Sequence, residues 1–310
     1  MTERSGNLLK AFLLILATVA IFTCYGGLID LALNAISEKS NFLILKIFFI
    51  ASLILALATI LLGTDFLLIH THAERSNHLD QPALYKIIKQ YSEKLEIEAP
   101  ELFILPEFAI NSCSGGLFKR NRFIALTKGV LKKLSREEQT AMIAHELAHL
   151  KQGDNYVYTI TGVFVAVLFF IHYLLFKHTA ALLQFKTLGK VSILKTLLIV
   201  SKAIVAGGLF ALVFFFAPLF KYLTLFIADK EADKNADKLA LSLTRDKEAM
   251  ISVLEKANEC GEKFIYPAPA LSHLFFMHPD FVIRDNENNE GEAVATRDTL
   301  KNRIRELSYG

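Results

Sequence analysis

Cysteine is scarce in this sequence, which has three in 310 residues: Cys24, Cys113 and Cys260. No two of them stand at CxxC spacing, so the pattern predicts neither a disulfide framework nor a cysteine metal site. Basic residues are not in large excess either, because the formal net charge is +3 and no long basic run occurs. Since nucleic-acid-binding surfaces are strongly basic, no nucleic-acid partner is expected.

Charged residues are missing from four long stretches. Hydrophobic residues make up 53% of the chain and the mean hydropathy is +0.38, whereas soluble proteins are about 45–50% apolar. The uncharged runs cover residues 11–29, 47–64, 155–176 and 203–220. Because about 20 apolar residues cross a bilayer as a helix, we expect four transmembrane helices. The first run is too long for a cleaved signal and is soon followed by the second.

The polar regions between and after these runs define the predicted domains. Residues 1–72 hold the first helix pair and residues 155–220 the second pair. Residues 73–154 and 221–310 are the two polar parts, which we expect to form one domain. An even number of spans puts the N-terminus and both polar parts on the same side. We expect a multi-pass protein of the plasma (inner) membrane, with its polar domain in the cytoplasm.

The segment "LSREEQTAMIAHELAHLKQGD" contains a metal-binding pattern. Ser135 and Glu138 form a capping box that predicts the start of a helix, and the glycine of "QGD" is typical of its end. On this helix His145 and His149 are four residues apart and share one face, where both imidazoles can reach one metal ion. Glu146 completes HExxH, the signature of zinc metalloproteases, in which the glutamate is the general base.

HExxH provides two ligands, whereas catalytic zinc usually has three from the protein and leaves one position for water. Residues 228–238, "ADKEADKNADK", repeat an aspartate every four residues. Asp229, Asp233 and Asp237 would therefore line one face of a helix. One carboxylate would complete the site, and another, one turn further along, could hold the ring N–H of a ligating histidine. The alternative is that the alternating charges merely solvate a surface helix.

The order of these features resembles the HtpX-type integral membrane zinc metalloproteases, which are gluzincins related to the CAAX prenyl proteases. The resemblance rests on "AHELAHLKQGD", the flanking hydrophobic pairs, "ADKLALSLTRDKEAMISVLEKA", and "HPD" ahead of "NRIREL". It implies a mainly α fold with four transmembrane helices and a zincin-type α+β metalloprotease domain with a small β-sheet.

The resemblance also implies the function. The family suggests a zinc endopeptidase with one zinc ion per chain, which hydrolyses membrane or misfolded proteins in protein quality control. Its expected partners are protein and peptide substrates, the lipid bilayer and membrane quality-control proteins. Two alternatives are a zinc-binding membrane sensor or receptor metalloprotease, and a catalytically weak structural homologue.

The family pattern Glu-x-x-Ala-Asp falls on "DKNAD" and implies Asp233 as the third metal ligand and Asp237 as the partner of a ligating histidine. Here aspartate stands where the family has glutamate. Because its side chain is one methylene shorter, the two helices must lie closer together by about that length. Ala232 and Ala236 would permit that approach. A shift by one turn, with Asp229 as ligand, is the second choice. Glu231 is the third, because it lies about 200° around the helix from Asp233.

Further family positions lie outside the two motifs. The runs 102–105 and 122–127 are β-rich and resemble the family's small sheet, where an edge strand could hold an extended peptide. Asn111 matches a family asparagine that contacts substrate, although "NSCSGG" departs from the usual "NAFATG" type. His278 matches a family histidine near the site and is the candidate oxyanion donor. Each of these two is alternatively an ordinary turn residue.

Overall fold

The computed structural model describes residues 3–37, 42–164, 166–167, 177, 231–260, 275–276 and 300–309. The chain divides into two compact units. The first comprises Met1–Val163 and Ile227–Gly310, and the second comprises Phe164–Phe226, which lies almost wholly outside the described residues. All helices and strands that are given bounds below belong to the first unit.

Two long apolar helices open the chain, α1 (Glu3–Ser37) and α2 (Leu43–His70). Both have the length and composition to cross a membrane, with mean hydropathies of 2.3 and 2.6 over their most apolar windows. Large apolar side chains on both helices are exposed, as expected for surfaces that face lipid: Leu8, Leu9, Phe12, Leu13 and Leu16 on α1, and Ile47, Ile50, Ile54, Leu57 and Leu61 on α2.

Of the other two predicted spans, 155–176 is helical over 155–164, and the rest lies mostly outside the described residues. The span at 203–220 lies entirely outside them. Two candidate membrane helices thus lie among the described residues, and the expectation of four remains a prediction.

Helices α1 and α2 contact each other closely near the segment that connects them. Asp30 of α1 accepts the backbone N–H of Leu45 at 2.7 Å and that of Ile44 at 3.4 Å, which satisfies donors that the first turn of α2 leaves without partners. A Cβ on Gly26 would lie 2.7 Å from the Cβ of Phe48. Glycine at this position therefore lets the two backbones approach closely.

A four-stranded mixed sheet follows. Its strands are β1 (Glu74–Arg75), β2 (Glu101–Leu105), β3 (Ser112–Gly115) and β4 (Phe123–Thr127), in the order β1-β2-β4-β3. β2 and β4 are parallel, and the outer pairs are antiparallel. The two β-rich runs seen in the sequence are thus the central strands. On the other side of β3, Phe276 donates its backbone N–H to the carbonyl of Ser112 at 2.8 Å, and Phe275 bridges Cys113.

Six further helices have defined bounds. They are α3 (Pro82–Lys94), α4 (Lys128–Lys133), α5 (Arg136–Gln152), α6 (Ala232–Thr244), α7 (Lys247–Glu259) and α8 (Leu300–Tyr309). The central one is α5, which contacts α3, α6, α7, α1, β3 and β4. Every residue from Ala141 to Leu150 is buried. The described residues are therefore mainly helical with a small sheet, as expected, and the HExxH helix is at their core.

Candidate metal centre

The ends of α5 are set by local sequence. At its start, Glu138 donates its N–H to the Ser135 hydroxyl at 3.2 Å, and Ser135 returns its N–H to the Glu138 carboxylate at 2.7 Å. At its end Gly153 has φ 86°, a left-handed conformation that glycine adopts without strain. Both predicted helix signals are confirmed. His145 and His149 consequently lie one turn apart on a well-defined helix.

Helix α6 brings aspartates to these histidines. Ala232 is 3% exposed and Ala236 fully buried, so small side chains let α6 pack closely on α5. Asp233 and Asp237 are both 2% exposed. The side chain of Glu231, in contrast, is 58% exposed and pairs with Lys234 at 3.3 Å. Asp229 lies outside the described residues.

Three side chains converge between α5 and α6. His149 Nε2 lies 3.0 Å from His145 Nε2 and 3.4 Å from Asp233 Oδ1. All three potential ligand atoms lie within 4.8 Å of one another, and all three residues are buried. A tetrahedral zinc ion with nitrogen ligands at about 2.1 Å separates its ligand atoms by roughly 3.4 Å. Despite its short side chain, Asp233 thus brings a carboxylate oxygen into the group formed with the two histidines.

Each histidine is oriented by a carboxylate on its other ring nitrogen. His145 Nδ1 lies 2.8 Å from Asp237 Oδ1, and His149 Nδ1 lies 2.7 Å from Asp154 Oδ2. Since an ionised carboxylate only accepts hydrogen bonds, each Nδ1 carries the donated proton. Such carboxylate–histidine pairs fix the tautomer and make the opposite nitrogen a better metal ligand.

Asp237 is itself held by an arginine. Arg303 of α8 is 1% exposed and donates from Nε to Asp237 Oδ2 and from NH2 to Oδ1, both at 2.7 Å. Burial alone would raise the pKa of Asp237, but the Arg303 charge and the His145 hydrogen bond outweigh it and hold this pKa below its usual range. The carboxylate facing His145 is therefore ionised at neutral pH.

The two facing Nε2 atoms identify the group that this site fits. With both Nδ1 atoms protonated, two neutral imidazoles would aim lone pairs at each other across 3.0 Å. A shared proton or a cation must lie between them. Two imidazole nitrogens and one carboxylate form the ligand set of many catalytic zinc sites. The buried donor set therefore fits a divalent metal such as zinc.

Without metal, His149 holds that proton. Burial would lower the pKa of His149, but its hydrogen bonds to Asp154 and Asp233 outweigh the burial and raise it to about 9. For His145 burial prevails over the Asp237 hydrogen bond, and its pKa lies below the usual range. The pair thus carries one extra proton at neutral pH, on His149.

This proton predicts a pH dependence of metal binding. Since the ion must displace one proton from His149, the apparent zinc affinity should rise about tenfold per pH unit from pH 7 towards pH 9 and then level off. Chelator competition at fixed free zinc measures the affinity. Titration calorimetry in two buffers of different ionisation enthalpy should show release of about one proton near pH 7. An affinity that does not change between pH 7 and pH 9 would contradict this protonation state.

Glu146 lies on the sheet side of the site. Ser112 of β3 is fully buried and donates its hydroxyl to Glu146 Oε1 at 2.6 Å. Asn111, which directly precedes β3, accepts the Ser112 N–H on its side-chain oxygen at 2.9 Å. The edge strand therefore contacts the general-base candidate through a serine. His278 lies outside the described residues, so its role as oxyanion donor remains a prediction, as does substrate binding by Asn111.

Three residues around this centre were not anticipated. Asp154 belongs to "QGD", which indicated only the end of the helix, although its position five residues after His149 is a usable signal. Arg303 lies in "NRIREL", which contributed to the resemblance without a role. Ser112 stands in the segment that departs from the family type. Within the part of the chain that the structure describes, His145, His149 and Asp233 form the one cluster of three potential ligands.

Comparison with known proteins identifies a matching family and several relatives. The model of peptidase family M48 matches residues 78–308. A protein named Protease HtpX homolog from Campylobacter hominis is 22% identical over 308 residues, which cover 97% of this chain and 97% of the relative. One of the same name from Syntrophobacter fumaroxidans is 23% identical over 281 residues, covering 88% and 90%. The crystal structure of S. mikatae Ste24p aligns with 15% identity and a TM-score of 0.43, covering 83% of this chain and 56% of that one.

Proposed function

Because this chain belongs to peptidase family M48, a family of metal-dependent peptidases, we propose that His145, His149 and Asp233 hold one zinc ion with which Glu146 hydrolyses peptide bonds. The membrane metalloprotease expected from the resemblance is thus confirmed at the level of the family. The identity of the metal and the role of each residue are the proposal.

The observation that carries the proposal is the pair of facing Nε2 atoms 3.0 Å apart, each on a ring whose Nδ1 is committed to a carboxylate. A structural histidine pair would have one nitrogen donating to the other without a second carboxylate on each ring. Here Asp237 and Asp154 prepare both rings as ligands, and Asp233 adds an anionic ligand beside them. Burying these polar and charged groups together costs solvation free energy, and a bound cation would offset that cost.

The catalytic steps of the protein itself centre on Glu146. A zinc ion bound here would polarise the scissile carbonyl and make water a nucleophile at neutral pH. Glu146 accepts the proton of the attacking water and delivers it to the leaving amine. The Ser112 hydroxyl donates a hydrogen bond to Oε1 of the carboxylate, so Oε2 is the oxygen that exchanges this proton. The proposed donor to the oxyanion is His278.

Substrate binding is proposed along β3. This strand lies at the end of the sheet beside α5, and Ser112 connects it to Glu146. An extended peptide that adds to a strand is held through its backbone, which suits a protease acting on unfolded segments of many sequences. Phe275 and Phe276 already pair with β3 on this edge, so the peptide would add beyond that pairing or displace it. Asn111, at the start of β3, is the proposed substrate contact. Membrane or misfolded proteins are the proposed substrates, with membrane quality-control proteins as partners.

The proposed location is the cytoplasmic side of the plasma (inner) membrane. Four spans would bring the N-terminus and both parts of the peptidase domain to one side, and the first turn of α1 contacts that domain through Asn7, which donates to Asp154. This contact supports a common side for both. A sensor or a weak homologue is less favoured, since the family match supports a peptidase and the proposed ligands lie together in one buried group.

A zinc titration tests the proposed function. The full chain, purified in detergent and stripped of metal with a chelator, should lose casein hydrolysis completely, and zinc should restore it. Activity should saturate at about one zinc ion per chain, because the described part of the chain offers one set of three potential ligands. Hydrolysis that persists at full strength after verified metal removal would refute a zinc mechanism. Full restoration by magnesium but not by zinc would refute the choice of metal.

A further inference from the structure

The first turn of α1 reaches the surroundings of the metal centre. Glu3 and Asn7 are four residues apart and share a helix face, with Arg4 beside them. Asn7 is 4% exposed. Such burial is unusual for an amide side chain at the end of a helix whose length and composition suit a membrane span. A buried amide requires hydrogen-bond partners, and those of Asn7 lie on the segment that ends the HExxH helix.

Asn7 contacts the carboxylate that orients a ligand. Its Nδ2 donates to Asp154 Oδ1 at 2.7 Å, while Asp154 Oδ2 accepts from His149 Nδ1 at 2.7 Å. The same Nδ2 donates to the carbonyl of Gln152 at 3.2 Å. Asp154 is 4% exposed, so this carboxylate depends on protein donors for its stabilisation. One oxygen is thus held by α1 and the other by the histidine.

Two neighbours of Asn7 hold the same turn in place. Glu3 accepts a hydrogen bond from Asn235 of α6 at 3.0 Å, and Asn235 lies between Asp233 and Asp237 in sequence. Arg4 donates to the Tyr156 hydroxyl at 3.1 Å, and its Cγ packs over Gly153. The first turn of α1 therefore contacts both helices that supply ligands, α6 and the end of α5.

We propose that Asn7 is a positioning residue of the metal centre, which holds Asp154 so that His149 presents Nε2 to the metal. This inference rests on the proposed function, because it assumes that His149 is a ligand. An amide suits this task because it donates to the carboxylate without adding a charge, so Asp154 remains an anionic partner of His149. A hydrophobic residue at position 7 would leave Asp154 Oδ1 buried without this donor.

A purely structural role makes a different prediction. If Asn7 only closes the C-terminal end of α5 through the Gln152 carbonyl, its loss lowers stability without altering the metal ligands. If it acts through Asp154, its loss changes the affinity and geometry of the bound metal, and the effect disappears once Asp154 itself is removed. The two roles are therefore separable by a double-mutant cycle.

The test uses the full chain in detergent. Asn7→Leu removes the donor, Asn7→Ser withdraws the donor from Asp154 by shortening the side chain, and Asn7→Gln keeps an amide. Thr18→Val is the matched control, because Thr18 is a buried polar residue of the same helix whose hydroxyl, among the described residues, bonds to the Leu14 carbonyl of its own helix. The zinc dissociation constant is measured by chelator competition, and the visible absorption spectrum of the cobalt-loaded protein reports the ligand geometry.

We expect Asn7→Leu and Asn7→Ser to weaken zinc binding about 10-fold, the lower end of the range for residues that support ligands, with an altered cobalt spectrum. Asn7→Gln should recover part of the affinity, and Thr18→Val should match the wild type. In an Asp154→Ala background, Asn7→Leu should cause no further loss. If one Asn7 variant fails to fold, the other provides the result.

Three results would overturn the inference while the proposed function stands: wild-type affinity and spectrum in both Asn7 variants, an equal loss in Thr18→Val, or fully additive losses with Asp154→Ala. A wild-type protein that binds no zinc would instead refute the proposed function, and this inference with it.

Discussion

Glu146→Gln is expected to abolish proteolysis while leaving zinc bound. The glutamine has the shape of glutamate and its oxygen can still accept the Ser112 hydroxyl, so the site should keep its geometry. It cannot accept the proton of the attacking water. A general base contributes about 10²- to 10⁴-fold to the rate, so casein hydrolysis should fall by at least that factor. Zinc content, measured by elemental analysis, should remain about one ion per chain.

Glu137→Gln is the control for this variant. It makes the same chemical change in the first turn of the same helix, where Glu137 is exposed. Activity and zinc content should both match the wild type. Casein cleavage by purified Glu146→Gln protein at the wild-type rate would show that the assigned chemistry is wrong. Loss of zinc from that variant would show that Glu146 supports the metal as well.

Asp233→Ala is expected to remove most of the metal and all activity. It deletes the proposed anionic ligand, whose Oδ1 lies 3.4 Å from His149 Nε2. Asp237→Ala should weaken zinc binding by about 10- to 100-fold, the range typical for groups that orient a ligand. Glu231→Ala, at an exposed position of the same turn, should change neither. Elemental analysis and chelator competition on the purified proteins provide the measurements.

Asp233→Glu tests whether the site accepts the longer carboxylate. It restores the residue of the family pattern and should keep zinc if the packing between α5 and α6 accommodates one more methylene. Ala232 and Ala236 are already buried, so a reduced affinity would measure how closely this site has adapted to aspartate. Metal binding that survives Asp233→Ala and is lost in Asp229→Ala would place the ligand one turn earlier. Loss in Glu231→Ala alone would refute the helix-face argument.

Local sequence was sufficient to predict the parts of the site that local interactions determine. The capping box, the glycine end and the HExxH spacing place His145, Glu146 and His149 on one helix without knowledge of any partner. Asp233 and Asp237 followed from a four-residue period together with the family resemblance. In each case the signal lies within a few residues, where helix geometry alone decides which side chains share a face.

The supporting groups could not be predicted because chain contacts over long sequence separations determine them. Arg303 meets Asp237 across 66 residues, and Asn7 meets Asp154 across 147. The sequence shows that an arginine is present or that a polar residue interrupts an apolar helix. It does not show whether that residue is buried or which residue it contacts. The sheet was anticipated as two β-rich runs, whereas the order of its strands depends on β3, which has little β-branched character.

The distance in sequence between the parts of the metal centre has a consequence for synthesis. His145 pairs with Asp237 across 92 residues, and Glu3 pairs with Asn235 across 232. Contacts of this kind close long loops, which carries an entropy cost and slows folding. A chain still on the ribosome that ends before Asp233 has the HExxH helix but lacks the third ligand, and one that ends before Arg303 lacks the group that holds Asp237. With the proposed ligand set, a nascent chain cannot bind zinc through all three ligands before Asp233 has been made, and Arg303 can hold Asp237 only after translation has passed α8.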